Sequence, residues 1–418
     1  MNRNLAQVDE MTGSFDGLLK DYRSSYGLPR DVYHDPQIFE QEVRAIFMKS
    51  WLYVGHQSQI PKRGDYFLFA MAGESVIIIR AGEDQINALV NVCRHRGSQI
   101  CDVAAGHESR LTCRYHGWTY GLDGSLLAAS RMPEGFDKSR HGLHRVHVRV
   151  LAGMIFINFD ANPVPFDALE RDLTAPLAPY RLDHAKVAHK QNYAISSNWK
   201  LAVENYNECY HCLPAHPEYS IAHGRAVPPS EWGASIEEVM ARAPQVGLTQ
   251  HVVAHSWLDA EALGVECQFD RYPLFRGYKT GSRDGELVAP FLGSITGCDG
   301  GTTDLHMGPT TFGLAYVDHV VLYRFTPRSL SNTDCEITWL VNGSAVEGKD
   351  YDLAKLTWLW DVTTLADKKI IERNQAGVDS RYYQPGPLSQ MEGYQRRFLD
   401  WYVATMRNHD IACGSSAL

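Results

Sequence analysis

The sequence CRHRGSQICDVAAGHESRLTCRYH, residues 93–116, decides how the first half of the chain must fold. It contains two short segments that each carry one cysteine and one histidine, Cys93 with His95 and Cys113 with His116. A Rieske-type 2Fe-2S cluster needs such a set, because two thiolates hold one iron and two imidazoles hold the other. The imidazoles raise the reduction potential to about −150 to +300 mV, where the cluster passes on single electrons. The spacing therefore predicts these four side chains as cluster ligands.

A structural zinc site of the Cys2His2 type is the main alternative for this motif. Zinc fingers usually pair cysteine with cysteine and histidine with histidine, whereas here each segment supplies one of each. The mixed pairing favours the iron–sulfur cluster. Gly97 and Gly117 let the backbone approach the sulfides, and we expect Tyr115 and Trp118 to shield the cluster or to donate hydrogen bonds near it.

A small all-β unit is predicted around the motif. Short apolar or alternating runs, such as 66–71, 75–80 and 154–158, are separated by Gly, Asp and Pro. We place this unit at residues 49–162. Residues 1–48 are expected to form an N-terminal leader that packs on the second domain of the chain, which follows the all-β unit.

The second domain, predicted at residues 163–418, mixes helices and strands, so the fold class is α+β. The linker that leads into this domain, residues 162–165, contains Pro163 and Pro165, and each proline biases the residue before it away from helix. The predicted elements are helices over 198–210, stopped by Pro214, and 352–376, ended by Gly377, and strands over 320–324 and 335–341.

Composition and charge indicate a globular protein. With 418 residues the chain exceeds one ordinary core, and no run approaches the ~20 apolar residues that span a bilayer. The first residues lack a secretory signal, so we expect a cytoplasmic protein. The net charge of −9, without a basic stripe, argues against nucleic acid and gives no reason to expect a membrane partner. The nine cysteines follow no small-scaffold spacing, and a disulfide framework is not expected.

A second group of possible metal ligands lies in ENYNECYHCLPAH, residues 204–216. His211 and His216 would diverge by about 140° on an uninterrupted helix, but Pro214 breaks the helix and swings His216 back. Two histidines and one carboxylate form the facial triad that binds non-haem Fe(II) and leaves positions open for dioxygen and substrate. The segment thus predicts two of the three ligands.

The carboxylate must come from elsewhere in the chain. The long C-terminal helix offers Asp361 and Asp367, which lie six residues and roughly 240° apart, so only one of them can face the iron. A histidine pair near a helix end is by itself more often structural. The predicted cluster favours the metal-binding interpretation of this histidine pair, because a one-electron donor is of little use without an acceptor.

Residues 93–116 and 198–216 together resemble the α-subunits of Rieske non-haem iron oxygenases, and the resemblance spans almost the whole chain. Asn198-Trp199-Lys200, followed by Glu204-Asn205, is typical of this family and places Asn205 in the catalytic site. The resemblance implies a helix-grip (Bet v 1-like) catalytic domain with an antiparallel sheet, one mononuclear Fe(II) per subunit, and a homotrimer in which each cluster supplies the iron of its neighbour. It also implies a separate NAD(P)H-dependent reductase with flavin and an iron–sulfur centre, since the chain has no dinucleotide-binding fingerprint.

Glu208 stands where most of the family has an aspartate that bridges the two metal sites across the subunit interface. In this respect the chain resembles the branch that acts on quaternary ammonium compounds, namely the glycine betaine, stachydrine, carnitine and choline monooxygenases. In that branch the third iron ligand is an aspartate five residues before a glutamate, with Asn-Gln beyond. Asp367 fits this pattern and Asp361 does not. The C-terminal segments that strengthen the resemblance are 339–341, 345–352, 384–387 and 400–402.

The resemblance to this branch implies a monooxygenase that hydroxylates a C–H bond next to nitrogen. The expected reaction is N-demethylation of a quaternary ammonium or other N-methylated amine, such as a compound like glycine betaine or proline betaine, with release of formaldehyde. An aromatic cage suits a quaternary ammonium, and its candidates are Tyr206, Trp257, Phe312 and Tyr316. Gly117 and the Thr311-Phe312-Gly313 segment depart from close betaine relatives, which points to a different amine.

Three other functions remain open. An aromatic ring-hydroxylating or O-demethylating oxygenase would use the same metals, although Glu208 and the C-terminal segments argue against it. An electron-transfer Rieske protein would need only the first half of the chain and would leave His211, His216 and Asp367 without iron. A zinc-stabilised binding module would be colourless.

Overall fold

The computed structural model describes residues 15–20, 22–224, 229–250, 253–255 and 267–415. In its first half, ten strands form an all-β unit with a seven-stranded sheet, in the order β1-β10-β9-β4-β3-β2-β5, and a three-stranded sheet, β6-β7-β8. The strands are β1 (Leu52–His56), β2 (Asp65–Met71), β3 (Glu74–Arg80), β4 (Ile86–Val90), β5 (Ala105–His107), β6 (Leu111–Thr112), β7 (Thr119–Tyr120), β8 (Leu126–Ala128), β9 (Arg145–Leu151) and β10 (Met154–Asn158).

The second half contains a seven-stranded antiparallel sheet in the order β11-β17-β16-β15-β14-β13-β12. Apolar and β-branched residues fill its long central strands, and nearly all of them are buried. The strands are β11 (Ala185–Ile195), β12 (Val253–His255), β13 (Cys267–Pro273), β14 (Gly301–Met307), β15 (Thr311–Ala315), β16 (His319–Ser329) and β17 (Asn332–Asn342). This antiparallel sheet agrees with the α+β fold class.

Helices cover the antiparallel sheet and carry the site residues. The described α-helices are α1 (Phe15–Leu18), α2 (Arg30–His34), α3 (Pro36–Glu42), α4 (Asp167–Leu177), α5 (Trp199–Tyr206), α6 (Cys212–Ala215), α7 (Pro217–Ala222), α8 (Pro229–Arg242), α9 (Leu353–Val378) and α10 (Gly393–Ser415). None of the described helices combines the length and the apolar character that crossing a membrane requires.

Two of the predicted helix ends differ from the structure. The helix that begins at Asn198, which caps it by accepting from the Lys200 backbone N–H, ends at Tyr206 and not near Pro214. The break comes earlier because Asn207 leaves helical geometry, and Pro214 instead lies inside the short α6, where the first turn of a helix tolerates proline. The long helix runs through Gly377 and ends one residue later, at Val378.

The N-terminal helices pack against α5 and α10 through a buried polar network. Glu42 at the end of α3 accepts hydrogen bonds from Trp199 Nε1 (2.7 Å) and Tyr402 OH (2.6 Å), and it forms an ion pair with Lys200. All four side chains are almost completely buried. A buried ionised carboxylate is tolerated only when it is paired and hydrogen-bonded, so this network fixes how α3, α5 and α10 meet.

A second buried ion pair holds the edge of the antiparallel sheet. Arg271 on β13 pairs with Asp299, and it also donates to Thr303 Oγ1 (2.8 Å) and Tyr180 OH (3.2 Å). Asp299 in turn accepts from the Gly301 backbone N–H at 3.1 Å, just where β14 begins. The pair therefore fixes β13 against β14, the two strands that form one wall of the cavity described below.

Replacing Asp299 with alanine should lower the free energy of unfolding by about 3–5 kcal/mol, because it leaves the buried Arg271 charge without its partner. Lys279→Ala, which breaks the solvent-exposed pair with Glu286, should cost less than about 1 kcal/mol. Denaturant unfolding followed by circular dichroism measures both variants. Equal effects would show that the buried pair does not fix the sheet edge.

Candidate metal centres and active site

The two predicted cluster segments have the same backbone conformation. Cys93 N–H donates to Ser98 O and Cys113 N–H to Trp118 O, both at 2.8 Å, five residues ahead in each case. Gly97 and Gly117 occupy equivalent positions with φ of 79° and 71°, a region that a side chain would strain. Each segment is thus a tight turn that its glycine permits.

These turns bring the four predicted cluster ligands together. The rings of His95 and His116 lie 4.6 Å apart, and the side chains of Cys93 and Cys113 are buried. Trp118 stacks on His95 at 4.8 Å. Buried thiols together with two more accessible imidazoles match the mixed ligation of a Rieske cluster.

One thiol of the group has a polar partner, and one imidazole of the group has a ring nitrogen without a partner. Tyr120 OH lies 3.3 Å from Cys93 Sγ, where a hydroxyl can hydrogen-bond to a ligating sulfur. His95 Nδ1 is buried without a hydrogen-bond partner. A ligand atom left without a partner fits a metal-bound role, so the residues present suit a 2Fe-2S cluster.

The second group is assembled from α9 and the segment that surrounds α6. Asp367 Oδ1 lies 3.2 Å from His211 Nε2 and 2.9 Å from His216 Nε2. Asp361, the other candidate, instead accepts a hydrogen bond from Tyr193 OH at 2.5 Å. The helix thus presents Asp367, and not Asp361, to the two histidines.

The geometry at Asp367 fits a metal ion better than a hydrogen-bonded cluster. Neither His216 Nε2 nor Asp367 Oδ1 makes an aligned hydrogen bond, although both atoms are buried and lie only 2.9 Å apart. Converging ligand atoms of this kind, two imidazoles and one carboxylate on one side, are the donor set that non-haem iron prefers. The residues present therefore suit a mononuclear iron.

The charges within this group stabilise one another. Burial works to raise the pKa of Asp367, but the two imidazoles reverse the effect and hold it below its usual value. Burial works to lower the pKa of His211, but the nearby Asp367 carboxylate and the hydrogen bond to Glu208 raise it to about 9. The carboxylates and imidazoles thus form one coupled electrostatic unit.

Glu208 is bound to the first histidine within its own chain. Its carboxylate accepts from His211 Nδ1 and from the backbone N–H of Tyr210 and of His211, the last at 3.1 Å. Asn205 Nδ2 lies 3.4 Å from His211 Nε2. The orienting carboxylate fixes the ring and directs Nε2 towards Asp367.

Cys209 and Cys212 form a disulfide across three residues of this turn, which the sequence did not predict. Cys212 Sγ also lies within 4.8 Å of the ligand atoms of His211 and His216. The bond joins the residue after Glu208 to the residue after His211. It therefore closes the turn that holds both side chains.

A cavity of about 400 Å³ opens beside the histidine–aspartate group. His211, His216, Asp367, Asn205 and Glu208 all contribute to its lining. Most of the remaining lining side chains are aromatic or polar, and they include Tyr206, Tyr219, His223, Tyr272, Asp304, His306, Tyr323, Trp360 and Tyr394. The cavity is large enough for a small organic molecule next to the metal ligands.

The predicted substrate cage is only partly formed by the residues proposed for it. Tyr206 lines the cavity, whereas Phe312 is fully buried behind it, with the two rings stacked at 4.2 Å. Tyr316 is also buried, and its hydroxyl bonds to His223 Nε2 at 2.7 Å. Trp257 lies outside the described residues.

Several lining residues were missed because they come from distant strands and helices. Asp304 and His306 gave one weak signal, since polar residues two apart on a strand point to the same face. Trp360 and Tyr394 gave no signal in the sequence that they line a cavity, because aromatic residues on helices are usually part of the core.

Comparison with known proteins gives the same two-part organisation. Residues 50–145 match the family described as Rieske [2Fe-2S] domain, and residues 182–408 match the family described as ring hydroxylating alpha subunit (catalytic domain). The chain is 35% identical over 402 residues to the glycine betaine monooxygenase oxygenase subunit of Pseudomonas aeruginosa, which covers 94% of this chain and 92% of that protein.

Two further similarities concern enzymes of quaternary ammonium compounds. The carnitine monooxygenase oxygenase subunit of Acinetobacter baumannii is 37% identical over 205 residues, covering 47% of this chain and 54% of that protein. The crystal structure of the quaternary ammonium Rieske monooxygenase CntA with L-carnitine superposes with a TM-score of 0.67 at 25% identity, covering 92% of this chain and 96% of that chain. A likeness over almost the full length supports the fold described above.

Asp367→Asn should remove most of the mononuclear iron while leaving the cluster intact, so total iron should fall from about three atoms per chain towards about two. Asp361→Asn is the matched control on the same helix and should keep both metals. Iron analysis measures total iron, and EPR of the reduced protein measures the cluster, so the mononuclear iron follows from the difference. Iron loss in the Asp361 variant alone would reverse the assignment.

Proposed function

Since the chain belongs to the family of ring-hydroxylating α-subunits of Rieske non-haem iron oxygenases, we propose that it N-demethylates a quaternary ammonium or other N-methylated amine. It is an oxidoreductase that binds one 2Fe-2S cluster and one mononuclear iron. Dioxygen and electrons from a separate NAD(P)H-dependent flavin and iron–sulfur reductase complete the reaction. The observation that carries the proposal is the aromatic cavity beside His211, His216 and Asp367.

The metal ligands follow from the two groups of side chains described above. Cys93, His95, Cys113 and His116 would hold the cluster, and His211, His216 and Asp367 would hold the iron. When bound, the cluster supplies single electrons and the iron supplies activation of dioxygen. The protein orients the ligands through the Glu208–His211 hydrogen bond.

The aromatic walls suit a substrate that carries a permanent positive charge. Tyr206, Tyr219, Tyr323 and Trp360 line the cavity beside the iron ligands. A quaternary ammonium cannot lose its charge, and each ring face that it contacts contributes about 0.5–2 kcal/mol of cation–π attraction. The aromatic faces thus suit a cationic N-methyl group near the metal ligands.

The proposed reaction balances without further cofactors. One oxygen atom of dioxygen enters a C–H bond of an N-methyl group, and the other leaves as water after taking up two electrons from the reductase and two protons from solvent. The resulting hydroxymethyl ammonium loses its hydroxyl proton as the C–N bond breaks. The products are an amine with one methyl group fewer and formaldehyde.

Glu208 would carry the electron path between subunits. A homotrimer would place the cluster of one subunit beside the iron site of the next, with Glu208 between a cluster histidine and His211. Its side chain is only 12% exposed and already bonds to His211, so one half of this path exists within the chain. A buried carboxylate between two imidazoles gives a short and oriented connection.

A colorimetric formaldehyde assay tests the reaction itself. The holoprotein with a reductase, NADH and dioxygen should release formaldehyde from at least one member of a panel of N-methylated amines, in step with substrate loss. Aromatic acids and aryl methyl ethers serve as the comparison set. Turnover of that set alone would instead favour an aromatic ring-hydroxylating or O-demethylating oxygenase.

Glu208→Gln should keep both metals but slow reoxidation of the reduced cluster by about 10–100-fold, because the amide cannot replace the charged hydrogen bond to His211. Glu208→Asp keeps the charge and should recover part of the rate. Stopped-flow absorbance of the cluster, with substrate and dioxygen present, gives the rate. Unchanged reoxidation and normal turnover in the glutamine variant would remove Glu208 from the electron path.

A further inference from the structure

One wall of the cavity carries an acid that the metal sites do not use. Asp304 and His306 are two residues apart on β14, so both side chains lie on the same face of the sheet. Both line the cavity, together with Tyr272 and Tyr394. Asp304 Oδ2 lies 3.3 Å from His306 Nε2, and the Asp304 side chain remains 20% exposed. The wall thus presents a carboxylate to whatever occupies the cavity.

A second carboxylate lies beside Asp304. Asp270 on β13 lies directly opposite Asp304 in the antiparallel register. Burial raises the pKa of Asp270, and the charge of Asp304 raises it further, so the two acids interact. Like charges directly opposite each other on neighbouring strands destabilise a sheet, which makes a nearby positive charge favourable here.

No lysine or arginine stands among the cavity-lining residues in the described part of the chain. Arg397 is close by, but its guanidinium lies over the ring of Tyr394, 4.1 Å from the ring centre, and it is not part of the lining. Its charge acts on Asp270. A substrate carboxylate in the cavity would therefore meet Asp304 with no lysine or arginine of the described lining to compensate, and His306, which can carry a charge, already pairs with Asp304.

We propose that Asp304 is a specificity-determining residue that selects substrates with a net positive charge. Within the quaternary ammonium class, the cavity prefers compounds whose second polar group is uncharged, such as an alcohol or an amide, over zwitterions that carry a carboxylate. A neutral hydroxyl or amide N–H donates a hydrogen bond to Asp304, whereas a carboxylate is repelled. The inference rests on the proposed function and names the substrate class of the same site.

Glycine betaine and glycine betaine amide are a suitable pair of probes, because they are nearly equal in shape and differ by one charge. Calorimetric titration of the oxidised holoprotein should show the amide binding at least tenfold more tightly. Asp304→Asn should reduce this preference to about twofold or less, with an unchanged cluster spectrum and with a thermal unfolding temperature no lower than that of the parent protein, because the change also relieves the repulsion from Asp270. Asp334→Asn, on the surface end of β17 and outside the cavity, is the matched control and should keep the full preference.

Tighter binding of glycine betaine, equal binding of the two probes, or no binding of either would overturn the inference. A preference that persists in Asp304→Asn would remove this residue as its origin. Formaldehyde release, measured in parallel, separates the two proposals. If zwitterions are turned over and Asp304→Asn has no effect, N-demethylation stands and only the selection by charge is refuted. If the protein binds N-methylated amines but releases formaldehyde from none of them, the proposed function is refuted.

Discussion

An isolated carboxylate inside a protein costs several kcal/mol, and Asp367 escapes that cost by lying between two imidazoles. Other contacts of the catalytic domain hold helix α9, and with it Asp367, in this position. Helix α9 is fixed across the antiparallel sheet by three hydrogen bonds spread along its length, which join Tyr193 to Asp361, Tyr323 to Thr364, and Glu372 to the backbone of residue 196. A shift of α9 by one turn would separate the acid from both histidines.

The two candidate metal sites are held in different ways. The cluster turns are local, since each is closed by hydrogen bonds within six residues and depends on one glycine. The candidate iron site joins the α6 segment to a residue about 150 positions later in the chain. The first site therefore depends on turn chemistry, and the second depends on the packing of the whole domain.

This difference explains what the sequence could predict. The cluster ligands follow from residues 93–116 alone, because spacing within a short segment limits geometry. Asp367 could be chosen over Asp361 only by resemblance, since helical periodicity leaves either possible. The predicted helix end near Pro214 was wrong, because periodicity does not reveal that Asn207 ends the helix. Asp304 was missed because nothing local records which strands meet at the cavity.

The network around Glu42 and Glu204 also bears on the order in which the chain folds during synthesis. Glu204 accepts hydrogen bonds from Tyr33 OH and from Gln395 Nε2, so three distant parts of the chain meet at one carboxylate. The strands of the first unit pair mostly with near neighbours and can assemble soon after they leave the ribosome. The packing of the catalytic domain is therefore complete only after α10 has been synthesised.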